Sequence, residues 1–221
     1  MPVSIWNGME QGLSEIVGCQ PDSVLDAGIG FGLWGCLLRQ YLDVWFGRIQ
    51  PYEWRTRIDG IEVDPARVQA HARLLYTDIL IGDIRDVVPR RATEVRYDVI
   101  LFGDVIEHLP KDDGRDLLDV AAGLAGKLVV ARIPFGNGWR REGRTEPDHH
   151  RSQWYADDFA EQTFAGRTGT VREYDYHGNP YGLITIAGVA TDRDAAARGT
   201  ISELELRLDE LVRRIEKLAR S

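Results

Sequence analysis

Short apolar runs punctuate the chain between about residues 22 and 190 and alternate with longer stretches of mixed polarity. The runs at 23–25, 57–62, 77–81, 97–102, 128–133, 170–174 and 183–189 read as strands. Several are almost wholly apolar, as in Val99-Ile100-Leu101-Phe102, a composition that suits strands covered on both faces. Strands of this kind spaced by helical stretches predict an α/β fold. The expected form is a doubly wound, mostly parallel seven-stranded sheet with helices on both faces.

The pattern changes beyond residue 190. Residues 191–200 are a polar linker, and then Ile201, Leu204, Leu208, Leu211, Ile215 and Leu218 recur at spacings of three and four. Charges of both signs fill the positions between, so residues 201–221 predict a heptad helix. A stripe this narrow fits a self-associating coiled coil better than packing on its own domain, although an amphipathic helix on that domain is the alternative. Three heptads are short, so the coil is expected to supplement another contact in a homo-oligomer. The organisation is a domain at 1–190, a linker at 191–200 and a helix at 201–221.

Composition narrows the partners. The 221 residues are 43% hydrophobic and 28% charged with a net charge of -8, which argues against a general attraction to nucleic acid or anionic lipid. No apolar stretch approaches the roughly 20 residues that span a bilayer, and the first residues lack the basic and apolar regions of a signal peptide. The two cysteines, Cys19 and Cys36, have no metal-type spacing. A reducing, cytoplasmic setting is expected, with no membrane partner.

The chemistry starts at Val24-Leu25-Asp26-Ala27-Gly28-Ile29-Gly30-Phe31-Gly32-Leu33-Trp34-Gly35, where an apolar strand meets a carboxylate and then alternating glycines. Glycines let the backbone turn sharply and approach a ligand closely. The same glycines also satisfy a dinucleotide fingerprint, so their spacing does not choose the ligand. Asp26 does, because a carboxylate beside the turn repels a pyrophosphate but suits a cationic ligand.

These residues resemble the first motif of the class I methyltransferases, which use S-adenosylmethionine (SAM). The resemblance continues in order over most of the chain. It implies that Asp26, Gly28, Gly30 and Gly32 form the cofactor loop. Glu62, followed by Val63, matches the acid that holds both ribose hydroxyls. Asp83 matches the acceptor for the adenine amino group, with Ile84 packing on the ring, and Asp104 ends the fourth strand beside the methyl donor. An NAD-dependent oxidoreductase or a non-catalytic SAM-binding scaffold would be the readings outside this class.

On the acceptor side, Asp104-Val105-Ile106-Glu107-His108 follows the fourth strand, and His149-His150 precede Trp154. Oxygen and nitrogen ligands without thiolates suit Mg²⁺, Mn²⁺ or a similar divalent ion. The arrangement resembles the metal site of the small-RNA 3′-terminal 2′-O-methyltransferases. That likeness implies metal ligation by Asp104, Glu107, His108 and His150, although that family carries the longer Glu where this chain has Asp104. His108, His149 and His150 are the candidate catalytic bases. The same Glu-His pair also occurs in methyltransferases that use no metal.

An aliphatic hydroxyl needs its proton drawn off before it attacks a sulfonium methyl, which a histidine or a divalent ion can achieve. The expectation is therefore a SAM-dependent O-methyltransferase acting on a hydroxyl of a sugar or polysaccharide, a small-molecule or glycan acceptor, with a divalent cation. The alternatives are a metal-independent methyltransferase of phenol- or quinone-type compounds and an RNA 3′-end 2′-O-methyltransferase. The acidic composition disfavours the RNA reading.

Overall fold

The structure is a computed structural model and describes residues 5–139, 149–160 and 162–189. The linker and heptad helix expected beyond residue 190 lie outside the described residues. The strands are β1 (Ser23–Ala27), β2 (Arg57–Glu62), β3 (Asp78–Ile81), β4 (Val99–Gly103), β5 (Leu128–Pro134), β6 (Thr163–Phe164), β7 (Arg167–Tyr176) and β8 (Asn179–Ala187). The main helices are α1 (Met9–Gly18), α2 (Leu33–Leu42), α3 (Ala70–Leu75), α4 (Ile84–Glu94) and α5 (Lys111–Leu124).

Alternation along the strands builds two cores, one on each face of a single sheet. Leu25, Ile100, Phe102 and Val129 face α4 and α5 through Val87, Val88, Leu118 and Ala121. Val24, Val99, Leu101 and Val130 face α1, α2 and α3 through Ile16, Leu38 and Ala72. The helices thus cover both faces, and the near-continuous apolar strands follow from that burial.

The sheet order is β3-β2-β1-β4-β5-β8-β7-β6. Strands β3 to β5 pair in parallel, and β8 then runs antiparallel to β5. The order reverses between β1 and β4, which opens a crevice at their carboxyl ends. Seven strands were expected and the sheet has eight. The additional strand, β6, is a two-residue arm that turns back onto β7 through Ala165 and Gly166 at φ 48° and 76°. Two residues are too few to leave a periodicity. The β7–β8 hairpin is also longer than expected, because it turns on His177 and Gly178, both at positive φ. That geometry is the tight two-residue turn that matches strand twist.

Candidate donor and acceptor site

The crevice is built from the loop that leaves β1. Gly28, Gly30 and Gly32 have φ of 108°, 50° and 88°, a conformation that side chains disfavour. The amides of Gly28 and Ile29 donate to Ile61 O at 3.1 and 2.9 Å, which pins the loop to β2. A Cβ on Gly28 would sit 2.8 Å from Val105 Cγ2, so the loop also lies close against the residues after β4. Glu62, the last residue of β2, accepts from Gly30 N at 3.0 Å and from Asp64 N at 3.1 Å. Its side chain is buried, and that burial raises its pKa. A carboxylate offers more acceptor sites than these amides occupy, so Glu62 can still take a hydroxyl.

Asp26 is fully buried and receives a hydrogen bond from the Tyr76 hydroxyl, while its Oδ1 has no hydrogen-bond partner. Burial pushes its pKa up to about 7, with Glu62 adding to the effect and the Tyr76 hydrogen bond opposing it. Asp83 caps α4 by accepting from Arg85 N at 2.9 Å, and the Arg85 guanidinium grips the same carboxylate at 3.0 and 2.6 Å. Arg85 thereby holds Asp83 below the usual carboxylate range. Val63 is half-exposed beside Glu62, whereas Ile84 is buried with Val87 and Val88 under the first turn of α4.

Beyond β4 the chain enters a left-handed residue, Asp104 at φ 60°, and then a short 3₁₀ turn over Ile106–His108. The Glu107 carbonyl accepts from Arg151 N at 2.8 Å and Ser152 N at 3.1 Å, so residues 149–152 are laid against the turn. His108 Nδ1 donates to the His149 carbonyl at 3.1 Å, which fixes the orientation of the ring. The rings of His108 and His150 meet edge-on at 5.0 Å. Glu107, His108 and His150 each bring a potential ligand atom within 4.8 Å of the others.

Three of the four expected metal ligands therefore converge and Asp104 stands outside the group. Its short side chain lies by the buried Arg132 guanidinium, 3.5 Å from Nη1. Glu107 is buried with Oε2 lacking a hydrogen-bond partner; burial, reinforced by Asp104 and opposed by Arg132, pushes its pKa well up. His149 is exposed and enters the site through its backbone carbonyl. Two neighbours of these residues were missed from the sequence: Tyr76, which bonds Asp26, and Arg132, which lies by Asp104. Arg132 had left a signal, a lone charge in the apolar run Val129-Val130-Ala131-Arg132-Ile133.

No protein-family model matches the sequence, and no curated protein matches it. Solved structures do match. An O-methyltransferase family protein from Burkholderia thailandensis aligns at TM-score 0.53 and 15% identity, over 83% of this chain and 57% of that one. The fold is that of the class I methyltransferases. The chain spans little more than half of that Burkholderia protein. A 1,6-didemethyltoxoflavin-N1-methyltransferase from the same organism, with bound S-adenosylhomocysteine, aligns at 0.56 and 15% identity, over 83% and 79% of the two chains. The O-methyltransferase of tomaymycin synthesis from Streptomyces achromogenes, in complex with SAM, aligns at 0.54 and 16% identity, over 86% and 84%. One of these proteins is an N-methyltransferase and another an O-methyltransferase, so the shared fold does not choose the acceptor atom.

Proposed function

We propose that this chain is a SAM-dependent methyltransferase that transfers the methyl group to a hydroxyl oxygen, with a divalent cation held by Glu107, His108 and His150. The observation that carries the reading is the convergence of those three ligand atoms within 4.8 Å, just past the end of β4. The residues fit such an ion: Glu107 Oε2 is buried without a hydrogen-bond partner, and a carboxylate with two imidazoles suits a borderline divalent metal. When bound, the ion would supply a Lewis acid that lowers the pKa of a coordinated hydroxyl.

The chain's own residues account for the rest. Glu62 takes the ribose diol and Asp83 the adenine amino group, while Asp104, joined by Asp26 above its raised pKa, sets negative charge near the cationic end of SAM. The acceptor oxygen attacks the methyl carbon as the carbon–sulfur bond breaks, and the hydroxyl proton passes to a histidine, for which exposed His149 is suited. Holding oxygen, carbon and sulfur in line supplies most of the advantage. A divalent ion held by these residues would chelate two neighbouring hydroxyls, which supports a sugar or polysaccharide diol as the acceptor. The protein works in the cytoplasm and as a homo-oligomer through its heptad segment; among the described residues no helix is long and apolar enough to cross a membrane.

One observation favours a second, metal-independent reading: burial and Asp104 both favour a neutral Glu107, and a protonated carboxyl is a poor ligand. Transfer from labelled SAM to a panel of oligosaccharides, phenolics and RNA ends, with and without EDTA, separates the two. Full activity in EDTA, together with unchanged Mn²⁺ binding by His150→Ala, would sink the metal reading. Light scattering of a chain ending at residue 199 tests the oligomer, since an undiminished mass assigns the heptad segment to its own domain.

A further inference from the structure

Arg132 is fully buried in β5 and only partly satisfied. Its Nη2 donates to the carbonyls of Ile5 and Asn7, both at 2.8 Å. Its Nε and Nη1 have no hydrogen-bond partner, and the 3.5 Å approach of Nη1 to Asp104 Oδ2 is an ion pair without a hydrogen bond. The guanidinium lies 5.8 Å from the centre of the Trp34 ring. Trp34 is itself buried, and its indole N–H also lacks a partner. A Cβ on Gly103 would overlap Trp34 Nε1, which places that N–H against the last residue of β4, next to Asp104.

Buried donors left without acceptors are rare in proteins, and each one asks for a ligand or a role. Here two buried residues with such donors stand beside the Asp104 carboxylate at the carboxyl end of β4. An acid and a base side by side complement a zwitterionic α-amino acid, whose carboxylate would satisfy the orphan N–H groups. We propose that Trp34 Nε1 and Arg132 bind the α-carboxylate at the methionine end of SAM, with Asp104 taking the adjacent ammonium. This rests on the SAM reading above and adds to it residues that no motif marks. Arg132 is suited to the task because its planar donor fork matches a carboxylate.

Calorimetry with S-adenosylhomocysteine, and with its analogue in which the α-carboxylate is replaced by hydrogen, tests the assignment. The analogue keeps the ammonium, so the comparison isolates the carboxylate. The wild-type chain is expected to bind the full product about 10- to 100-fold more tightly than the analogue. Trp34→Phe and Arg132→Met should each narrow that ratio to within about threefold by weakening the full product alone, and Arg132→Lys should restore part of it. Equal weakening of both ligands, or a wild type that does not distinguish them, overturns the assignment. If Arg132→Met fails to fold, the wild-type ratio and Trp34→Phe still decide. Failure of the folded wild type to bind either ligand overturns the SAM reading itself, and this inference with it.

Discussion

The Tyr76 hydroxyl donates to Asp26 and accepts the backbone N–H of Gly35 with the same oxygen. Gly32 precedes the first turn of α2 and has no side chain to cap it. Tyr76 supplies that missing acceptor from across the core, and at the same time holds Asp26, the buried acid near the end of β1. Tyr76→Phe removes both contacts and leaves Asp26 with no hydrogen-bonded oxygen. The variant should lose about 1–3 kcal/mol, seen as a lower denaturant midpoint at unchanged slope. A midpoint equal to that of the wild type would show that the contact contributes nothing to stability.

The buried Asp26 also sets a pH dependence. Its folded pKa of about 7 lies above the ordinary 3.8. Below the lower value both folded and unfolded chains carry the proton. Between the two values the unfolded chain ionises while the native one keeps its proton, so stability falls as pH rises. The slope from one such group is at most about 1.4 kcal/mol per pH unit, and it vanishes above the folded pKa. Denaturant unfolding of Asp26→Asn should therefore show a flatter decline than the wild type over this window. Parallel curves would mean that Asp26 is ionised in the native state.

How much of this was legible in the sequence depended on local signal. The central strands β1, β2, β4 and β5 left the clearest runs, because helices cover both faces there and most buried positions are apolar. The two-residue β6 had no room for a pattern. Glu107, His108 and His150 were readable as residue types, but their convergence depends on backbone contacts from Glu107 to residues 151 and 152, about 45 positions along the chain. The surroundings of Asp104 were hidden for a similar reason: its neighbour Arg132 belongs to another strand. Tyr76 could not be found at all, since nothing about an aromatic residue before β3 says that it reaches the loop after β1.

Close packing beneath the glycine loop gives a steric prediction. Gly60 lies in β2, and a Cβ there would stand 2.5 Å from Ile29 Cγ2 and 3.0 Å from the Tyr76 ring. Ile29 belongs to the loop, so Gly60→Ala should push on the cofactor site as well as the core. We expect a destabilisation of about 1–3 kcal/mol together with weaker S-adenosylhomocysteine binding. Gly18→Ala, at the end of α1 with nothing within 4 Å, is the control and should be neutral or mildly stabilising. Equal behaviour of the two variants in thermal melts and calorimetry would refute the packing argument.

The two adjacent histidines should separate cleanly. His150 brings an imidazole atom into the group with Glu107 and His108, whereas His149 offers that group only its carbonyl, which orients the His108 ring. A backbone contact survives side-chain truncation. His149→Ala should thus keep its Mn²⁺ affinity within about threefold of the wild type, while His150→Ala should lose at least about tenfold. If His149 is the proton acceptor, its truncation lowers turnover at saturating metal and shifts the pH–rate profile, and added imidazole should rescue part of the rate. Loss of Mn²⁺ affinity in both variants to the same extent would place the His149 side chain among the ligands instead, and would return the base role to another group.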